Sequence, residues 1–391
     1  GSPFGVRIVG PLGRPAPLIP PHIPVHLLVT TDNELDRVVS SALTADRYAI
    51  DTEFHRERTY YPQVALIQLG WEDQVVLIDP LEVDPKPLAA LLDSDATCIV
   101  HAGVQDLEVL DLSCGTIPKH LFDTQIAAGF LGVSTGSLAS LLDRFLGIKL
   151  PKGDRLTDWL RRPLTDDQLR YAASDVEHLL ELTDVLLEKL DQEGRTHWAS
   201  EEYELLKDRP RNRRVPEEAI TRIKEARSLK GQSYQIATAL AAWRERRAAE
   251  RNVPVRQVLS DLGIVAIAQL GPRSTDQLRG LRGVESRHLR DGADKQIIEA
   301  VQSGKDRTPQ ARQAPRAPEL PRHLRPVVTL VTTWIAQLAR DHRLDPALLA
   351  TRADVEGLLK EEDSCRLNRG WRQELVGKPI AQLVGGDAAV A

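Results

Sequence analysis

The stretch RYAIDTEFHRERTY, residues 47–60, decides the fold. Tyr48-Ala49-Ile50 has strand character and runs straight into Asp51-Thr52-Glu53-Phe54. Residues two apart on a strand point to the same face. Asp51 and Glu53 therefore set two carboxylates side by side. Like charges that close repel, and each raises the other's pKa unless a cation sits between them. A sheet edge facing water accommodates the pair without any function. A divalent metal ion accommodates it with one. The pair alone leaves both readings open, and further carboxylates from elsewhere in the chain must decide.

Outward from this strand the pattern is α/β. Ordered structure is expected from His26-Leu27-Leu28-Val29-Thr30, then a helix over 33–43 with Asp32 as its cap. Strands are expected over 47–54, 63–70 (QVALIQLG) and 74–79 (QVVLID), and their short spacings suggest antiparallel neighbours. PLAALLDSD reads as helix, ATCIVHAG as strand and VQDLEVLDLS as helix, an alternation that implies parallel pairing in a mixed sheet. After Gly115 the pattern is almost all helical, with FDTQIAAGFLG, SLASLLDRFLG and one long helix from about residue 165 to 190.

Length and composition bound the rest. At roughly 100–200 residues per domain, 391 residues suggest two to four domains, and 42% apolar content is ample for their cores. Cys98, Cys114 and Cys365 are too few and too scattered for a disulfide framework or a zinc site. With no signal-peptide pattern and no bilayer-length apolar run, a cytoplasmic protein is expected. Gly1-Ser2 reads as a cloning remnant and is set aside.

The net charge of −5 argues by itself against a nucleic-acid binder, but its distribution says more. Residues 211–310 hold 20 Lys+Arg against 12 Asp+Glu, a net of +8; the remainder holds 31 against 44, a net of −13. That asymmetry suggests a polyanionic partner for the basic segment, and a well-solvated helical surface explains it equally well.

Further carboxylates do arrive. In HAGVQDLEVL (101–110) a strand turns into a helix that carries Asp106 near the strand's carboxyl edge, where ligand sites of α/β sheets gather. In RYAASDVEHLL (170–180), Tyr171 and Asp175 are four apart on one helical face. A solvated Asp175 and a core Tyr171 are the bland alternatives. Asp51, Glu53, Asp106 and Asp175 around one point would need divalent cations, and oxygen-only ligands favour Mg²⁺ or Mn²⁺ over zinc. Such a site suits two-metal phosphoryl transfer.

DTEF, HxxxxD ending at Asp106, and YxxxD ending at Asp175 resemble the three motifs of the DEDD 3′→5′ exonuclease superfamily, tyrosine subclass. The longer stretches RYAIDTEFHRERTYYPQVALIQL, FDTQIAA, PKGDRLTDWLRRPLTDDQLRYAASDVEHLL and AAWRERRAAERNVPVRQVL resemble bacterial ribonuclease D. The resemblance covers nearly all of the chain after residue 25. His178 follows Asp175 rather than preceding it, which keeps the tyrosine subclass. The implied fold is an RNase H-like α/β domain with a mixed sheet, followed by two small all-α helicase-and-RNase-D C-terminal (HRDC) units. The implied boundaries are a Pro-rich extended tail over 1–24, the exonuclease domain over 25–206 and a basic linker over 207–216. An HRDC domain over 217–304, a Pro/Arg-rich linker over 305–326 and a second HRDC-like unit over 327–391 follow.

The resemblance also implies roles. Asp51 would bridge two divalent cations, Mg²⁺ or Mn²⁺. Glu53 and Asp175 would complete the shell of one, and Asp106 would hold the second, through water. Tyr171 would hydrogen-bond the attacking water; a phenol with a pKa of about 10 is a poor base at neutral pH. Phe54, His101 and Lys152 match positions that contact the terminal nucleotide. Phe54 would stack on bases, with a core aromatic as its bland alternative. His101 would bond a phosphate or sugar, or else be a strand-end histidine satisfied by backbone. Lys152 would neutralise a phosphate, or else be a solvated lysine.

In the HRDC-like unit Arg244, Arg247 and Arg251 share one helical face beside Trp243, a stripe that could track a phosphate backbone. Glu245 and Glu250 dilute it, and a solvated face fits equally. Trp334 and Trp371 are expected in the core of the last unit. The expected activity is metal-dependent 3′→5′ hydrolysis of RNA with a single-stranded 3′ end, tRNA precursors among the substrates, releasing nucleoside 5′-monophosphates. A monomer away from membranes is expected. A DNA 3′→5′ exonuclease and a non-catalytic RNA-binding adaptor are the alternatives; the full set of carboxylates counts against the second.

Overall fold

A computed structural model describes residues 27–150, 157–211, 215–307 and 320–386. The expected tail over 1–24, Lys152 and most of the second linker lie outside the described residues.

The first part is built on a six-stranded sheet with the order β1-β4-β3-β2-β5-β6. Its strands are β1 (Leu27–Val29), β2 (Arg47–His55), β3 (Gln63–Trp71), β4 (Gln74–Ile78), β5 (Thr97–Val100) and β6 (His120–Asp123). β2, β3 and β4 form an antiparallel meander, as their short connections suggest. β1 joins β4 in parallel, and β5 and β6 extend the other side in parallel. Both faces are covered. Helices α1 (Asp32–Ala42), α2 (Ala89–Leu92), α3 (Val104–Cys114), α4 (Thr124–Gly129), α5 (Leu138–Leu146), α6 (Asp166–Ser174), α7 (Leu179–Gln192) and α8 (Thr196–Lys207) complete this part.

Three sequence expectations shift. The cap of α1 is Thr31 rather than Asp32, because Thr31 and Glu34 close a reciprocal capping box. Strand β6 lies in the stretch read as helical; it is only four residues long, and its last residue, Asp123, also caps α4. The long helix over 165–190 is two helices. Asp175 and Val176 bond back to Ala172 and Ala173 in tight i→i+3 fashion, and the chain turns before Leu179 restarts the helix.

The chain continues through α9 (Gly231–Arg251), α10 (Val255–Val258), α11 (Asp261–Leu270) and α12 (Ala293–Asp306), then α13 (Arg325–Asp341), α14 (Pro346–Leu349) and α15 (Arg352–Leu359), with short turns of helix to Gly385. Residues 219–301 enclose a separate apolar core around Ile236, Leu240, Ile264, Ile267 and Ile297. The C-terminal helices do not. Val328, Val331, Ile335, Leu349 and Trp371 belong to one continuous core with the sheet domain. Trp371 stacks on Trp198 at 5.1 Å and meets Phe130 edge-on. Its indole N–H donates to the buried Glu202, which also pairs with Arg372. Arg195 donates to the carbonyls of Phe130 (2.6 Å) and His342 (2.7 Å). Trp371 thus fills a seam between chain ends, and Trp334 packs at the margin of the same core.

Candidate active site

Strand β2 supplies the first two carboxylates. Asp51 lies opposite Gln68 of β3 and Glu53 opposite Leu66, and the register then slips so that Phe54 faces Val64. The bulge shifts the register of the pairing next to Glu53 and twists the strand there. The break between α6 and α7 supplies the third, since Asp175 caps α6. Carboxylate oxygens of Asp51, Glu53 and Asp175 lie within 4.8 Å of one another. Tyr171 is one helical turn before Asp175, its ring 6.0 Å from Trp159.

Asp106 stands apart from this cluster, buried in the first turn of α3. Its Oδ1 accepts from the Thr52 N–H (3.1 Å) and the Thr52 hydroxyl (2.6 Å), between the two β2 carboxylates. The helix N-terminus adds a favourable partial charge there.

Electrostatics marks the cluster as incomplete by itself. Burial, then the charges of Asp106, Asp175 and Glu53, hold the Asp51 carboxyl well above the usual range. Burial raises Asp106 to about 6, although the Thr52 bonds act the other way. A bound cation would relieve this repulsion, and an oxygen-only donor set fits a hard divalent ion. The residues present therefore fit the metal group that the sequence implies.

Phe54 is partly buried, with the Arg56 guanidinium 5.2 Å above its ring, and Arg56 pairs with Glu108 of α3. His101 Nδ1 lies 2.9 Å from the Thr124 hydroxyl, which itself donates to the Val100 carbonyl.

Sequence patterns miss three residues of the site. Thr52 is overshadowed by the two acids it separates. Gln68 is completely buried beside Asp51, and its amide has no hydrogen-bond partner among the described residues. One polar residue within the apolar run VALIQLG is the available signal. Arg162 grips the buried Asp79 with two bonds (2.5 and 2.7 Å) and donates to the carbonyls of Ala65 (2.7 Å) and Trp159 (2.8 Å). It fixes the loop that carries Trp159 against Tyr171.

The arginine stripe is corrected. Arg244 is 3% exposed and donates to Leu259 O and Asp261, while Arg247 is buried against Gln296 and the Asp291 carbonyl. Helical spacing places Arg244, Arg247 and Arg251 on one face, but the first two pack inward, and only Arg251, paired with Asp291, reaches the surface. Arg246 and Arg251 of α9 are exposed, and so are Arg273, Arg279, Arg282, Arg287 and Arg290 in the segment between α11 and α12.

No helix among the described residues is long and apolar enough to cross a membrane. The family model described as 3′-5′ exonuclease matches residues 27–191, and that for the HRDC domain matches 233–301. Ribonuclease D of Gluconacetobacter diazotrophicus is 35% identical over 370 residues, spanning 93% of this chain and 94% of that protein. Ribonuclease D of Zymomonas mobilis is 35% identical over 373 residues, 93% of this chain and 95% of its own. The crystal structure of Escherichia coli RNase D, an exoribonuclease involved in structured RNA processing, superposes with a TM-score of 0.79 at 31% identity, covering 93% of this chain and all of that one. A carboxylate cluster at the end of β2, the matching exonuclease and HRDC models, and similarity along almost the whole length converge on one conclusion: this chain is a member of the ribonuclease D family of 3′→5′ exoribonucleases.

Proposed function

We propose that this protein shortens RNA from a single-stranded 3′ end, with tRNA precursors among its substrates. The observation that carries the reading is the convergence of Asp51, Glu53 and Asp175 within 4.8 Å, with burial and then the neighbouring carboxylates raising the Asp51 carboxyl above its usual range. Asp51, Glu53 and Asp175 would hold one divalent cation, Mg²⁺ or Mn²⁺, and Asp51 with Asp106 a second. Such cations supply the positive charge that phosphodiester hydrolysis needs at the scissile phosphate.

The chain's own residues do the rest. Tyr171, braced by Trp159, orients a water; a phenol is too weak a base to deprotonate it at neutral pH. The water's oxygen bonds to phosphorus, the bond to the 3′ oxygen breaks, a proton from the water ends on that 3′ oxygen, and a nucleoside 5′-monophosphate leaves. Phe54 stacks against the terminal base, and the Nδ1-tethered His101 offers its ring to the backbone of the last nucleotides. Lys152 contributes a phosphate contact. The exposed arginines between α11 and α12 attract the body of the RNA. The same reading divides the chain into the exonuclease domain over 25–206, an HRDC domain over 217–304 and a helical unit over 327–391, acting as a cytoplasmic monomer.

The test is a 5′-labelled, 3′-tailed tRNA incubated with Mg²⁺, Mn²⁺ or EDTA, beside a matched single-stranded DNA. Expected is a ladder from the RNA 3′ end that EDTA and Asp51→Ala abolish. Equal or faster laddering of the DNA would move the assignment to a DNA exonuclease. Binding without cleavage in either metal would leave an RNA-binding adaptor.

A further inference from the structure

The loop after strand β2 touches two places. At its start, Arg56 lies over Phe54 and pairs with Glu108, two residues beyond Asp106. At its end, Tyr60 and Tyr61 meet the last turn of α9. The side-chain oxygen of Asn252 accepts from the backbone N–H of both tyrosines, each at 3.1 Å. The Tyr60 hydroxyl donates to Glu245 at 2.8 Å. Glu245 is 2% exposed and is also held by Arg222 at 3.0 Å. A cleft of about 180 Å³ separates the two ends of this contact, lined by Arg56, Tyr60, Tyr61, Glu108, Pro254 and Val255.

Asn252 caps α9 in the left-handed conformation, with φ of +47°. Asparagine tolerates that geometry better than most residues with a Cβ. The same residue therefore ends the helix and reaches across to the loop. The unit that α9 belongs to has its own core, so its placement against the sheet domain rests on surface contacts of this kind.

We propose that Tyr60 and Asn252 are positioning residues for substrate choice: they fasten the HRDC domain beside the mouth of the active site, so that an RNA with a folded body behind its 3′ tail engages both at once. This rests on the exoribonuclease reading above. A second contact made within one complex gains from effective concentration, and loosening the link between the two surfaces removes that gain. A short single strand, which reaches only the site, is indifferent to the link.

The experiment compares a hairpin RNA carrying a 3′ tail with a short single strand of the tail sequence alone. The variant is Tyr60→Phe combined with Asn252→Gly, since glycine keeps the left-handed cap and removes only the acceptor. Expected is a rise in KM of about tenfold for the hairpin, with its kcat and both constants for the short strand within about twofold of the parent. Tyr60→Phe with Asn252→Asp restores the acceptor and should recover most of the loss. An unchanged hairpin KM, an equal change on both RNAs, or a fall in kcat alone would overturn the proposal. A parent protein that shortens neither RNA in Mg²⁺ or Mn²⁺ would overturn the exoribonuclease reading itself, a result independent of any variant.

Discussion

Asp106 is tied twice to Thr52, once through the backbone N–H and once through the hydroxyl, so the first turn of α3 is locked to the centre of β2. Hydrogen bonds to a charged group contribute about 1.5–3 kcal/mol each. Thr52→Val keeps the β-branched shape and removes the shorter bond. Mn²⁺ affinity, measured by calorimetry without RNA, should fall by about tenfold or more. An unchanged affinity would show that the Asp106 carboxylate is held by something other than Thr52.

The acids make the metal-free protein sensitive to pH. Asp106 ionises at about 6 in the fold against 3.8 ordinarily, and Asp51 is also raised. A raised carboxyl means that the folded state binds more protons than the unfolded one at intermediate pH. Stability in EDTA should therefore fall as pH climbs from about 4 to beyond 6, by about 3 kcal/mol for Asp106 alone. Saturating Mg²⁺ should flatten or reverse that slope, because it favours the ionised form. Urea midpoints across this range, with and without Mg²⁺, provide the check. A metal-free protein whose stability rises over the same interval contradicts the assignment.

Gln68 buries a whole amide beside Asp51 without a partner among the described residues, a cost of about 1–3 kcal/mol. Gln68→Leu fits the neighbouring apolar surface of β3 and should raise the melting temperature of the metal-free protein. The same change should lower the turnover of tailed RNA, because the amide is the polar group nearest in register to Asp51. A stabilised variant with full activity would make Gln68 a packing residue alone.

Arg162 holds Asp79, which is 2% exposed, so its removal strands a buried charge. Arg162→Met should cost about 3–5 kcal/mol, read as a lower urea midpoint. Arg162→Lys keeps the charge but not the paired bonds and should fall between. Tyr171 loses its brace through Trp159 in both, so kcat should drop more than KM rises.

The site is legible in the sequence where local periodicity and chemistry coincide. Alternation along β2 puts Asp51 and Glu53 on one face from the order of residues alone, and the strand bears that out. Position brings in the other two: Asp106 follows a strand into the first turn of a helix, and Asp175 shares a helical face with Tyr171. The break after Ser174 is hidden because Tyr171 to Leu190 keeps a helical period across it, while tight backbone bonds turn the chain. β6 is hidden by its length. The arginines of α9 show another limit: a helical face can be read from spacing, but what covers it depends on residues far along the chain, here Leu259, Asp261 and Gln296. Gln68 is visible as a letter, and only its depth makes it informative.

The shared core of the sheet domain and the C-terminal helices has a consequence for biosynthesis. A ribosome releases the strands first, the α9–α12 unit next and the Trp371 segment last. The middle unit encloses its own apolar cluster and can close while synthesis continues. The core of the sheet domain is completed only later, when Trp371 reaches Phe130 and Trp198 and Arg372 reaches Glu202. Order of emergence and order of completion are thus reversed, and a chain that terminates early carries Asp51, Glu53, Asp106 and Asp175 yet lacks the Trp371 side of the core that Phe130 and Trp198 pack against.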